Sequence, residues 1–345
     1  MHRLKLLFAL LTLFFVTAAC ASLGSDEEYY DEEIVTEEAL PTEEPTEAPL
    51  SVAEGAICTD LTDQIMQIST SASEAGSDTE STDVQEETPL VVYEVNGDQI
   101  SNPVLEDVSS ELQDQQADEA TQQEVWEYYT ALIPAENRST IVEYSIFTDG
   151  VDNTLAAVTQ TQTDPAAWSL QVDIADTSDY YSLTFTLIHE YGHLLTLGPD
   201  QVPPSLAVFN NPEDNDIYLK ELSACPDYFP GEGCANPDSY INAFYNQFWA
   251  GIHEEWQQIN LEEDPDLLQQ GLDDFYARYQ DQFVTDYAAT NPEEDMAESW
   301  SFFVLGPKPA GDTIAEQKTL FFYDYPELVE LRSAILNNLC TSFPQ

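Results

Sequence analysis

The chain has 345 residues, of which 66 are Asp or Glu and 8 are Lys or Arg, a formal net charge of -58 at pH 7. An acidic balance of this size argues against nucleic acid as a partner, because phosphate backbones are bound by basic surfaces. It suits either a solvated acidic surface in an extracytoplasmic habitat or the attraction of cationic peptides and divalent ions, and composition leaves both open.

At the N-terminus, His2, Arg3 and Lys5 precede an apolar run from Leu6 to Val16 and then Thr17-Ala18-Ala19-Cys20. This is the layout of an export signal over residues 1–19, too short to serve as a membrane span. A cysteine directly after small residues resembles the lipobox of bacterial lipoproteins. The resemblance implies cleavage before Cys20, lipid on that residue and anchoring at the outer face of the cell membrane; the alternative is a secreted protein cleaved nearby. No later apolar run approaches the roughly 20 residues that cross a bilayer.

Residues 20–88 read as an acidic linker, rich in Glu, Asp, Thr, Ser, Ala and Pro, without enough apolar surface to offset its ordering entropy. Within this flexible tether an island around Ile57-Cys58-Thr59-Asp60-Leu61 and Ile65-Met66 is suited to docking on a folded domain.

The globular domain is expected over residues 89–345. Leu90 to Val95 is β-prone, and Asn96-Gly97 supplies a hairpin turn before Ile100. A helix over 118–133 ends at Pro134, and strands follow over 140–148, 154–161 and 168–174. In the last, Trp168, Leu170, Val172 and Ile174 alternate with Ser169, Gln171 and Asp173, the period of a half-buried strand. A helix over 182–197 carries Leu187, Tyr191, Leu194 and Leu195 at helical spacing and closes at Gly198-Pro199. Further helices are predicted over 239–259, 264–283, 292–304 and 326–339. A mixed sheet first and helices afterwards is an α+β order.

Apart from Cys20, the cysteines are Cys58, Cys225, Cys234 and Cys340, an even set that in an exported chain predicts two disulfides. Cys225 and Cys234 bracket Pro226, Pro230, Gly231 and Gly233, a turn-rich loop whose ends can meet; Cys58 with Cys340 follows by elimination. No C-x-x-C spacing supports a cysteine-ligated zinc instead.

The 182–197 helix contains His189-Glu190-Tyr191-Gly192-His193, the pattern H-E-x-x-H. Two imidazoles four residues apart on a helix face one way and can share a zinc ion, with Glu190 placed to take a proton from water and pass it on. The three-histidine continuation of this motif fails, because Thr196 and Pro199 stand where Gly and His are needed. A better third ligand is Glu294: Asn291 is a natural N-cap and Pro292 a natural first helical residue, which puts Glu294 and Glu298 one turn apart on one face. A cation beside them would explain two like charges at that spacing, and an acidic helix start favoured by the macrodipole is the alternative. His253 has no matching partner and reads as structural or surface. Asp149-Gly150-Val151-Asp152-Asn153 and Asp214-Asn215-Asp216 fit no full calcium loop and read as turns.

A glutamate ligand on a second helix, four residues before another acidic residue, resembles the gluzincin group of zincin metallopeptidases. The run Glu294-Asp295-Met296-Ala297-Glu298, preceded by Thr290-Asn291 and by Tyr287, is similar to the second motif of the anthrax lethal factor catalytic domain. The resemblance implies a zincin-like α+β fold, zinc on His189, His193 and Glu294, and Glu298 orienting a ligand histidine. It further implies Tyr287 as hydrogen-bond donor to the oxyanion, and the strand of Trp168, Leu170 and Val172 as the sheet edge that pairs with extended substrate. The expected function is a zinc metallopeptidase acting on a peptide or protein outside the cytoplasmic membrane. The alternative is a non-catalytic metal-binding surface lipoprotein on the same fold.

Overall fold

A computed structural model describes residues 58–75, 87–150, 154–262 and 264–344. The expected leader, Cys20 and the linker on either side of 58–75 lie outside the described residues.

Five strands form one mixed sheet: β1 Thr88–Asn96, β2 Gln99–Leu105, β3 Ile141–Thr148, β4 Ala156–Gln160 and β5 Trp168–Asp173, in the order β2-β1-β3-β5-β4. Asn96 pairs with Gln99, so the hairpin turn is Gly97-Asp98, one residue later than the dipeptide alone predicts. Gly97 takes the left-handed conformation there, with φ 64°. β3 runs parallel to β5, and β4 is antiparallel to β5 on its outer side.

This order corrects one expectation. Trp168, Leu170 and Val172 lie on an interior strand and are buried to 3%, 0% and 0% exposure; the edge is β4. Period-two alternation reports which face of a strand is apolar and says nothing about how many neighbours it has. Ser169 and Asp173 on the other face are buried too, the latter accepting the Asp149 N–H at 2.8 Å.

Helix Glu119–Leu132 begins at an Asp118 cap that accepts the Thr121 N–H at 3.2 Å, and it buries Val125, Trp126, Tyr129 and Leu132. Its Trp126 ring lies 5.1 Å from that of Tyr144 in β3. Helix Tyr180–Leu197 starts from an Asp179 cap and buries Leu183, Leu187, Ile188 and Tyr191. The Tyr128 hydroxyl meets Thr184 Oγ1 at 2.5 Å and ties the two helices together.

Helix Pro292–Leu305 crosses Tyr180–Leu197 at Gly192. A Cβ at Gly192 would stand 3.0 Å from Trp300 Cδ1 and 3.2 Å from the Ala297 Cα, so the missing side chain is what lets the two backbones approach. His189 and His193 lie on one of these helices and Glu294 on the other, so their approach depends on that crossing.

The rest of the helical half is more broken than periodicity predicts. Residues 239–259 form helix Tyr240–Phe244, a π-helical turn Tyr245–Trp249 and helix His253–Ile259. Helix Pro265–Tyr279 is followed by a 3-10 turn, an unpredicted helix spans Ile314–Phe321, and the last helix is Pro326–Ser342. Within the expected linker, helix Thr59–Ala75 docks on the domain with Ile65 fully buried and Leu61 and Met66 packed against the core. Residues of the expected tether are therefore part of the folded unit. A Cys58–Cys340 disulfide fastens this helix to the last one, and Cys225–Cys234 closes its own loop, as expected. Among the described residues no helix is long and apolar enough to cross a membrane.

Candidate metal centre

His189 and His193 sit one turn apart on helix Tyr180–Leu197, facing the start of helix Pro292–Leu305. That second helix begins as its residues predict: Asn291 Oδ1 accepts the Glu294 N–H at 2.7 Å, and Pro292 occupies the first turn. The cap fixes where Glu294 emerges. Its Oε2 lies 3.0 Å from His189 Nε2 and 3.3 Å from His193 Nε2, and the two Nε2 atoms are 3.1 Å apart.

The donor set meets the requirement for a metal. Ligand atoms bonded at about 2.0–2.1 Å in a tetrahedron are about 3.3 Å from one another, close to the edges of this triangle. Three electron-rich atoms at such separations also repel unless a positive charge lies among them. Protons and a cation compete for such lone pairs. Burial opposes charge on His189, but the hydrogen bonds to Glu294 and Glu298 outweigh it and raise its pKa well above the ordinary imidazole range. Burial likewise opposes charge on Glu294, and His193 and His189 hold its carboxyl below the usual range all the same. A cation that displaces those protons is bound with proton release.

Behind the ligands, Glu298 Oε1 pairs with His189 Nδ1 at 2.9 Å, and Thr285 Oγ1 donates to Glu298 Oε2 at 2.8 Å. Glu298 is on the far side of the ring from the triangle, so it orients His189 and does not join the donors. Glu190, with His189 and His193, completes a group whose ligand atoms all lie within 4.8 Å of one another. Burial raises the Glu190 pKa, partly countered by the two imidazoles and by the nearby Val158 backbone N–H of β4. The edge strand thus reaches the centre directly.

Tyr287 opens the 3-10 turn Tyr287–Ala289, its ring centroid 5.9 Å from that of His189. The residue is 52% exposed, while its phenol end turns toward the carboxylates. Burial there, with Glu294, Glu190 and Glu298 nearby, keeps the phenol protonated far above neutral pH. Of the residues singled out from sequence, His189, Glu190, His193, Glu294, Glu298 and Tyr287 come together; Trp168, Leu170 and Val172 do not.

Glu232, Val158 and Thr285 join the site without having been singled out. Glu232 had a usable signal, standing between Gly231 and Gly233 inside the Cys225–Cys234 loop; the other two depend on tertiary placement. His253 is not among the converging groups; its Nδ1 meets the Tyr245 hydroxyl at 2.9 Å, and its ring lies 6.0 Å from that of Tyr228. Asp214 caps helix Asn215–Ala224, accepting the Asp216 and Ile217 N–H groups, and Asp149 accepts the Thr154 N–H across a loop whose residues 151–153 lie outside those described. No protein-family model, curated protein or solved structure matches this chain.

Proposed function

We propose that the chain is a zinc-dependent peptidase of zincin type, with zinc held by His189, His193 and Glu294. The observation that carries this is the convergence of two imidazole Nε2 atoms and one carboxylate oxygen within 3.0–3.3 Å, with the Glu190 carboxylate beside them. Zinc bound there supplies a Lewis acid for a scissile carbonyl and makes water nucleophilic near neutral pH.

The chain's own groups account for the remaining steps. Glu190, raised in pKa by burial, accepts the proton given up by the attacking water and returns it to the departing amine. Tyr287 stays protonated and donates a hydrogen bond to the oxygen on which charge develops. β4 is the outermost strand on this side of the sheet, and an extended peptide adds along its edge as a further strand. Two disulfides suit an oxidising compartment, in keeping with export directed by the leader and retention through lipid on Cys20.

A non-catalytic, closed metal site would need a fourth side-chain ligand. Glu298, the residue such a closed site was expected to add, is engaged behind His189, which favours the catalytic reading. The test is hydrolysis of a mixed peptide substrate by zinc-loaded wild type and Glu190→Gln. A loss of at least about 100-fold in the variant, with zinc content retained, supports the proposal; equal rates, or no cleavage by wild type, overturn it.

A further inference from the structure

We propose that Glu232 and Glu293 form a cation-accepting subsite beside the metal centre, which selects peptides presenting an ammonium or guanidinium group next to the scissile bond. The inference rests on the peptidase reading above and names the substrate class it would take.

Glu232 is held in place from several directions. The Cys225–Cys234 disulfide closes its loop, Ser205 N–H donates to the Glu232 carbonyl at 2.7 Å, and Gly233 bridges to Pro204. A Cβ at Gly233 would stand 2.1 Å from the Pro203 carbonyl oxygen, so the backbone approach itself requires glycine; Gly231, with φ 119°, sets the turn before it. This rigid loop places the Glu232 carboxylate within electrostatic reach of His193 and of Glu293. Glu293 immediately precedes the ligand Glu294, and Tyr228 donates to its Oε1 at 2.7 Å, with the Tyr228 ring stacked on Tyr245 at 4.2 Å.

One atom of this arrangement lacks a partner. Glu232 Oε2 is buried and accepts no hydrogen bond. A buried carboxylate oxygen without a donor is costly, and a fold that braces one beside a second carboxylate leaves it to an incoming group. No Lys or Arg among the described residues fills that place. Among the described Lys and Arg residues, Arg138, Lys220, Arg278 and Lys318 pair with Asp98, Glu221, Glu255 and Asp295, Arg332 binds the Phe303 and Gly306 carbonyls, and Lys308 lies over Tyr323. A donor supplied by substrate satisfies Glu232, whose carboxylate lies within electrostatic reach of His193.

The cation has two possible sources, a basic side chain or a free amino terminus. Calorimetric titration of the zinc-loaded full chain with three probes separates them: Nα-acetyl-arginine amide, norleucine amide with its free amine, and Nα-acetyl-norleucine amide as the neutral reference. At least one charged probe binds wild type 10-fold or more tightly than the neutral one, and Glu232→Gln abolishes that ratio while Glu232→Asp keeps part of it. Equal affinity of all three probes for wild type, or an unchanged ratio in folded, zinc-loaded Glu232→Gln, overturns the subsite. Should the glutamine variant not fold, the wild-type ratio alone decides. Because binding is read and not turnover, the result is independent of whether the Glu190 test succeeds.

Discussion

Glu298 and His189 are joined at 2.9 Å through Nδ1 of the ring, and Thr285 braces the same carboxylate from its other oxygen at 2.8 Å. A carboxylate at Nδ1 keeps the proton there and leaves the Nε2 lone pair aimed at the triangle with Glu294 and His193. Glu298→Ala is therefore expected to weaken zinc affinity by about 10- to 100-fold, measured by competition with a chromophoric chelator. Glu298→Gln keeps an acceptor and should lose less. Equal affinities in all three proteins would show that the ring is oriented by packing alone.

The ligand helix is anchored from behind by a buried ion pair. Lys318 and Asp295 are both 0% exposed, with Lys318 Nζ 2.5 Å from Asp295 Oδ2, which also accepts the Trp249 indole N–H at 2.7 Å. Removing one partner of such a pair strands a buried charge, so Lys318→Met should destabilise the fold by about 3–5 kcal/mol in denaturant unfolding. Adding Asp295→Asn should recover a large part of that loss. Failure to recover would assign the effect to packing of the lysine stem, whose Nζ lies 4.1 Å from the Phe283 ring centroid, and not to charge.

Much of this centre was legible locally, because its determinants are local. The H-E-x-x-H spacing, the Asn291 cap and Pro292 fix which way His189, His193 and Glu294 leave their helices, and the apolar repeat of Leu187, Tyr191 and Leu194 fixes which face turns inward. What was not legible is non-local. Whether β5 or β4 forms the edge is decided by neighbours, and Trp168 to Val172 alternates equally well in either position. The docking of Leu61, Ile65 and Met66 was legible as an apolar island, but the full helix Thr59–Ala75 was not, because the polar stretch beyond Met66 carries no helical repeat of apolar residues. Residues 239–259 carry an apolar pattern that a π-helical turn interrupts without any proline to mark it.

His253 gives the fold a pH dependence of its own. Burial pushes its imidazole down to about 4 from 6.5, within a cage that includes Tyr245, Trp249 and Trp256. Between those two values the unfolded chain binds a proton that the folded chain does not, so this group's contribution is intact above pH 6.5 and declines as pH falls toward 4. The full effect is at most about 3 kcal/mol. Urea unfolding of wild type and His253→Asn at pH 7, 5.5 and 4.5 should show the stability difference between them shrinking as pH falls. A difference that stays constant would mean that His253 remains neutral in both states or charged in both.

The proposed peptidase stands on one metal held by three named side chains. Anomalous diffraction at the zinc edge from crystals of the zinc-loaded protein tests this most directly. The expected result is a single strong peak at about 2.0–2.2 Å from His189 Nε2, His193 Nε2 and a Glu294 carboxylate oxygen, with Glu298 still on His189 Nδ1. A chain that takes up no zinc there, or a zinc ion from which Glu294 turns away, would contradict it.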